Sequence, residues 1–355
     1  MRRRRWHSWL SVAWPGFAGL MGTIAIWFLI PVPYIVYEPG PAAETRPMVE
    51  TKAAADRDAV PSEGAFLMTT VRWTYANVFK YVAATYDPHA EIYEKETITR
   101  GASRTDYVQR QQLQMRSSHS DALEAVYRTL GIPYEARTEN IVVFSVLDGF
   151  AADGVLRPGD RLLAIDGKPV ERDEDVRAAM EGKAVGEEAE VTFRRGGAEE
   201  TARLTLRALP NSDPPRPGMG ITYGALLTIE SEDPAYRVEI RAGSIGGPSA
   251  GLMFALEMYD RFTEGDLTRG YRVAGTGEIS PDGSVGTIGG VVHKVVGAHR
   301  SGAELFFVPP GNAEAALAKA AAIGTEMDVV TVANLQEALD YLASLPEKPT
   351  RIGGL

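Results

Sequence analysis

The spacing of apolar residues changes character several times along the chain, and each change predicts a different element. From Trp6 to Tyr37 there is no Asp, Glu, Lys or Arg. An apolar run of about 20 residues is long enough to cross a bilayer as a helix. Arg2 to Arg5 precede this run, and Glu38 and Glu44 follow it. The positive-inside rule then predicts a single-pass anchor over residues 1–37, with a cytoplasmic Arg tail and the remainder at the outer side of the cell membrane. A cleaved signal peptide fits less well, because signal cores run about 7–15 residues and Pro31-Val32-Pro33-Tyr34 makes a poor cleavage site.

Residues 38–129 read as a juxtamembrane linker followed by a strand and helix region. Residues 38–60 are polar and punctuated by Pro and Gly, as in linkers. Gly64 to Trp73 is rich in β-branched and apolar residues and predicts a strand. Leu113, Ala122, Leu123, Val126 and Leu130 are spaced as on one helix face, predicting a helix over about 104–130 that stops at Gly131 and Pro133.

Residues 130–210 change to short strands with turn residues between them. Asn140 to Leu147 and Arg161 to Ile165 predict strands, 173–181 a helix, and 188–194 and 202–208 a pair closed by Gly196-Gly197. Asn211 to Gly218 holds three prolines and marks a boundary. The rest, 219–345, mixes strands and helices, so the fold class is mixed α/β (α+β).

Composition narrows the functions available. A chain of 355 residues has room for two or three domains. A net charge of -10 argues against nucleic-acid partners, which need a concentrated basic face. With no cysteine there is no disulfide framework, thiolate metal site or cysteine nucleophile. Five histidines stand apart from one another without ligand spacing, so neither metal nor cofactor is expected.

Chemistry concentrates in two segments. Arg237 to Ile240 predicts a strand, and Leu252, Ala255, Leu256 and Tyr259 fall on one face of a helix. Gly247-Pro248-Ser249-Ala250-Gly251 lies between them, so Ser249 stands at a helix start. There it either caps the helix or acts as a nucleophile, with backbone N–H groups of the Gly247, Pro248, Ala250 loop at the positive end of the dipole to hold an oxyanion. Further on, 273–290 predicts a hairpin turning at Pro281-Asp282-Gly283, and Val291 to Arg300 a helix with Val291, Val295 and Ala298 toward the core. Lys294 falls beside that stripe. A lysine there either snorkels to water or is buried, in which case desolvation lowers its pKa and makes it a base for a serine hydroxyl. His293 is a weaker base, since on a helix it points roughly 100° away from Lys294.

These residues resemble two known families. The strand at 140–147, Gly149 with Ala151-Ala152, Leu156-Arg157-Pro158-Gly159-Asp160 and Ile165-Asp166-Gly167 are similar to a bacterial PDZ domain. That resemblance implies capture of an extended peptide, with a carboxylate loop near Leu130, Gly131 and Ile132. The Gly247–Gly251 motif, Thr276-Gly277-Glu278-Ile279, Ile288-Gly289-Gly290 and Lys294 before Ala298-His299-Arg300 resemble the proteolytic domain of Lon proteases. It implies Ser249 as nucleophile, Lys294 as base and Thr276 as a support of the dyad. Lon proteases commonly carry an acidic residue where Gly246 stands here, and no Gly-x-x-x-x-Gly-Lys-Ser/Thr motif of an ATPase occurs.

The order anchor, PDZ-like domain (130–210), Lon-type domain (219–345) resembles the PDZ-containing Lon-type serine proteases of Gram-positive bacteria. It implies a membrane-anchored, ATP-independent endopeptidase acting on protein or peptide substrates, with a homo-oligomeric ring as a partner arrangement. The alternatives are a non-catalytic peptide-binding adaptor and a protease limited to processing itself.

Overall fold

The computed structural model describes residues 27–51, 64–210, 212–243 and 245–349. It forms two compact units: the chain up to Pro39 together with Val71–Ile98, and Gly40–Thr70 together with the chain from Thr99 onward. Two long strands, β1 (Pro31–Glu44) and β2 (Ala65–Asn77), each contribute to both.

In the first unit β2 runs directly into helix α1 (Val78–Tyr86). Asn77 caps it, its side chain accepting from the Lys80 N–H. Strand β3 (Glu91–Glu94) then pairs antiparallel with β1, Tyr34 opposite Glu94 and Tyr37 opposite Glu91. The core is small: Val36, Ala76 and Ala84, with Tyr34, Tyr81 and Ile92 against them.

This corrects the C-terminal end of the anchor expected over 1–37. Pro31 to Tyr37 is strand, because its β-branched residues suit a strand, Tyr34 to Tyr37 pair with β3, and Ile35 and Val36 are buried. An uncharged run reads the same whether lipid or protein buries it. Residues 1–26 of the expected anchor lie outside the described residues. Among the described residues no helix is long and apolar enough to cross a membrane. The expected linker is also partly ordered: 38–44 continue β1, and Val49–Thr51 pairs with Val238–Ile240.

The second unit opens with the long helix α2 (Arg104–Leu130). Ser103 caps it by accepting from the Asp106 N–H, and Gly131, at φ 67, ends it in a left-handed turn that suits glycine. An antiparallel sheet follows, built from β4 (Tyr134–Val146), β5 (Arg161–Ile165), β6 (Glu188–Arg195), β7 (Ala198–Thr205) and β8 (Ile221–Ser231) in the order β8-β4-β5-β6-β7. Helix α3 (Asp173–Met180) packs its Val176 and Ala179 onto the sheet's core, with Ile141, Leu162, Val191 and Phe193. Strand β8 pairs with β4 from Ile221 opposite Val146 to Ser231 opposite Tyr134. Residues 221–231, counted with the proteolytic part by a boundary at 219, therefore complete the PDZ-like sheet. The prolines at 214–217 turn the chain between strands.

The remainder builds a second sheet around parallel strands β9 (Arg272–Gly275), β10 (Leu305–Val308) and β11 (Asp328–Thr331), in the order β11-β10-β9-β2-β1. Residues 65–68 of β2 pair in parallel with 272–275. All four residues of β10 are buried, as expected of a parallel strand covered on both faces. Helices α4 (Gly251–Phe262) and α7 (Leu335–Ser344) pack with Phe66, Met68, Val273 and Phe307 on one face. On the other, α5 (Val291–Arg300) and α6 (Pro310–Ala322) pack with Leu67, Ala274 and Phe306. The expected hairpin over 273–290 is smaller than predicted, because β9 joins the sheet and only Glu278–Ile279 pairs with Val285–Gly286.

A buried ion pair ties the N-terminal segment to α4. Arg261 Nε lies 2.8 Å from Glu257 Oε1, Thr45 donates to Glu257 Oε2 at 2.8 Å, and Arg261 Nη2 donates to the Arg46 carbonyl at 2.9 Å. Removing one partner strands the other charge out of water. Glu257→Ala is expected to lower stability by about 3–5 kcal/mol, read as a shifted denaturant midpoint; an unmoved midpoint contradicts this.

Candidate active site

Ser249 sits in a single turn, Pro248–Ala250, that runs straight into α4. The turn is entered through Gly247 at φ 90 and ψ 151, backbone that an L side chain rarely adopts. The N–H groups at 249 and 250 open the helical segment, where backbone donors have no acceptor within the helix. Three neighbours fix the turn. The Gly247 N–H donates to the Gln111 carbonyl at 2.8 Å, the Ser118 hydroxyl donates to the Pro248 carbonyl at 2.9 Å, and the Gly277 N–H donates to the Ser249 carbonyl at 2.9 Å.

Lys294, on α5, brings its Nζ to 2.6 Å from Ser249 Oγ and 2.9 Å from Thr276 Oγ1. The Thr276 hydroxyl donates onward to the Ser249 carbonyl at 3.0 Å. Lys294 is only 3% exposed and Thr276 is fully buried, whereas Ser249 is half-buried and open to an incoming group. Burial alone lowers the Lys294 ammonium from 10.5 to about 7, with no carboxylate holding the charge. A neutral amine here donates to Thr276 and turns its lone pair to the Ser249 hydroxyl. That is the arrangement of a serine activated by a lysine base. His293 is buried as well, but the group that meets Ser249 is Lys294.

Two family models match the chain: a PDZ domain over residues 129–206 and the Lon protease (S16) C-terminal proteolytic domain over residues 232–344. The chain therefore carries a PDZ domain and a Lon-type serine peptidase domain. Among curated relatives, the Lon protease of Chloroflexus aurantiacus is 36% identical over 121 residues, 34% of this chain and 14% of that protein. Lon protease 2 of Bacillus subtilis is 35% identical over 111 residues, 30% of this chain and 19% of that protein. The chain thus spans less than a fifth of the length of either relative. A solved PDZ domain of an SdrC-like protein from Listeria monocytogenes is 29% identical, covering 24% of this chain and 87% of that one, with a TM-score of 0.23.

Sequence reasoning named Ser249, Lys294, Thr276 and the Gly247, Pro248, Ala250 loop of the Lon-type domain, and the fold brings all of them together. It missed α2. Gln111 and Ser118 lie more than 120 residues before Ser249 in a helix whose only sequence signal is its apolar spacing, yet they hold the nucleophile turn. Helix α2 also accounts for Gly246. A Cβ there would meet Gln111 Cβ at 2.8 Å, so the acidic residue common in Lon proteases has no space here.

The carboxylate loop expected at Leu130, Gly131 and Ile132 needs correction. Gly131 N–H donates to the Arg128 carbonyl and Ile132 N–H to the Tyr127 carbonyl, closing the end of α2. Leu130 and Ile132 pack against the core of the proteolytic part. Donors engaged by a helix end are not available to a peptide carboxylate.

Proposed function

We propose that this chain is a membrane-anchored endopeptidase that cuts unfolded or flexible protein segments without ATP, using Ser249 and Lys294. The observation that carries this reading is the 2.6 Å approach of a buried, depressed lysine to an accessible serine hydroxyl. Lys294 takes the proton as Ser249 Oγ attacks the peptide carbonyl carbon. The tetrahedral oxyanion forms within reach of the N–H groups at the start of the helical segment. On collapse the C–N bond breaks, and Lys294 returns its proton to the leaving amine. Water, deprotonated by the same amine, then attacks the Ser249 ester, releasing the acid and the free hydroxyl.

The uncharged run Trp6–Ile30 after four arginines supports an anchor whose peptidase lies outside the cytoplasm. Ring-shaped self-association belongs to the same proposal.

For substrate capture, the PDZ domain's sheet offers an edge strand, β8, beside α3. An extended peptide adds to such an edge through main-chain hydrogen bonds. A peptide with a free carboxyl terminus is expected to slow amide exchange over residues 218–225 and leave 130–132 unchanged; protection at 130–132 alone rejects this edge.

The test of the whole reading is to incubate the full chain in detergent with an unfolded protein, with and without ATP, beside Ser249→Ala and Lys294→Ala. Cleavage by the parent chain alone, indifferent to ATP, is expected. Equal cleavage by all three sinks the dyad. Peptide binding with no cleavage by any of them points to an adaptor, and cleavage confined to the chain itself to a self-processing protease.

A further inference from the structure

The first unit exposes a group of apolar side chains that peptide hydrolysis does not use. Trp27, Phe28, Leu29 and Ile30 stand where the described chain begins, and Phe79, Val82 and Tyr86 project from α1. Leu29 is 77% exposed and Tyr86 84%. On α1 the exposed positions Phe79, Val82, Ala83 and Tyr86 have the i, i+3, i+4, i+7 spacing that ordinarily faces a core. Here it faces outward, while Ala84 and Tyr81 pack inward. The helix therefore has two apolar faces and only one of them is covered by the unit.

The two groups are one surface. The Phe28 ring stacks on Phe79 at 4.3 Å between centroids. The Asn77 side chain donates to the Phe28 carbonyl at 2.9 Å, and the Val78 N–H donates to the Ile30 carbonyl at 3.1 Å. No charge interrupts the stripe, since Lys80, the one ionic residue of α1, is held by Glu38 at 2.6 Å.

We propose that α1 and residues 27–30 seat the protein on the outer leaflet of a phospholipid bilayer, with Phe79, Val82 and Tyr86 among the headgroups and upper acyl chains. The occupant follows from where the chain leads. The uncharged residues from Trp6 onward enter the described structure at Trp27, inside this surface. An apolar patch continuous with a membrane segment meets lipid before it meets anything else. Trp27 and Tyr86 each have an apolar body and a polar tip, the kind of side chain that settles at the membrane interface, and Phe28 and Phe79 add apolar area between them. Surface helices of this kind bury their apolar side by about 5–10 Å. The inference rests on the anchor proposed above.

The chain has no cysteine, so one introduced thiol labels one site. Full-length chains carrying Val82→Cys, Tyr86→Cys or, as an exposed apolar control in the second unit, Leu317→Cys are labelled with a polarity-sensitive fluorophore. They are reconstituted into vesicles of equal parts phosphatidylcholine and phosphatidylglycerol. Labels at 82 and 86 are expected to shift to the blue and to lose about half their intensity to a quencher attached just below the lipid headgroup, with the label at 317 unaffected. If the chain floats with the vesicles while 82 and 86 remain in water, the anchor stands and this surface does not seat on lipid. If the chain does not float, the anchor reading fails and takes this one with it. A blue shift in detergent without vesicles that grows with protein concentration assigns the patch to a second copy and overturns the proposal.

Discussion

Ser249→Ala is expected to lower kcat for peptide hydrolysis roughly 10^5-fold, about 7 kcal/mol of transition-state stabilisation. The nucleophile's own oxygen is removed, so neither Lys294 nor the backbone donors have a reacting atom to act on. Binding is expected to survive, because Ser249 is half-buried at the mouth of the site and the turn is fixed through its backbone and through Gly247 and Pro248. Steady-state cleavage of a fluorogenic peptide, with peptide affinity measured separately, distinguishes the two effects. A variant that keeps a tenth of the parent's kcat excludes Ser249 as the nucleophile.

Lys294→Met is expected to abolish activity and to stabilise the fold. The unfolded lysine holds its proton up to about 10.5, whereas burial lets it go near 7 in the folded chain. Between those pH values the unfolded state binds more protons, so stability rises with pH across the window and the lysine's penalty is full below 7. A shift of that size corresponds to roughly 4 kcal/mol at neutral pH. Methionine has similar length and no charge. Allowing about 1 kcal/mol for each lost hydrogen bond to Ser249 and Thr276, the net gain is about 2 kcal/mol at pH 7. The gain is expected to shrink as pH rises and to cross zero at about pH 9, where the remaining penalty of about 2 kcal/mol equals the lost hydrogen bonds. Above about 10.5, where the parent lysine is neutral in both states, the variant is the less stable. The parent's activity rises through the same ionisation, increasing with pH around 7 as the amine becomes a base. A variant less stable than the parent at pH 7 means that burying this amine carries no penalty.

The catalytic half was legible because both motifs are local. Gly247 to Gly251 contains the glycines and proline that the turn's backbone requires, and the 291–300 stripe identifies the helix that carries Lys294. Their distance could not be read, since the 44 residues between Ser249 and Lys294 include β9, whose partners β2 and β10 lie outside that stretch, β2 about 200 residues earlier. The supports from α2 were equally hidden, because Gln111 acts through its backbone carbonyl and Ser118 through a bond to another carbonyl. Any residue supplies a carbonyl, so such contacts leave no mark in the residue pattern.

Elsewhere, local pattern and tertiary context part company. The sequence by itself determined the elements: the helix from 104 to its glycine stop, the short strands of the PDZ domain, the turn at Ser249 and the buried stripe beside Lys294. Periodicity and turn chemistry act within a few residues and are written there. Only the tertiary structure decided that Pro31–Tyr37 is a strand, that 221–231 completes the PDZ sheet, that Gly131 and Ile132 close a helix, and that Lys294 is desolvated against Ser249. Each of those depends on which distant segment supplies the partner, hydrogen bond or excluded water, and pairing across the chain is a property of the assembled fold.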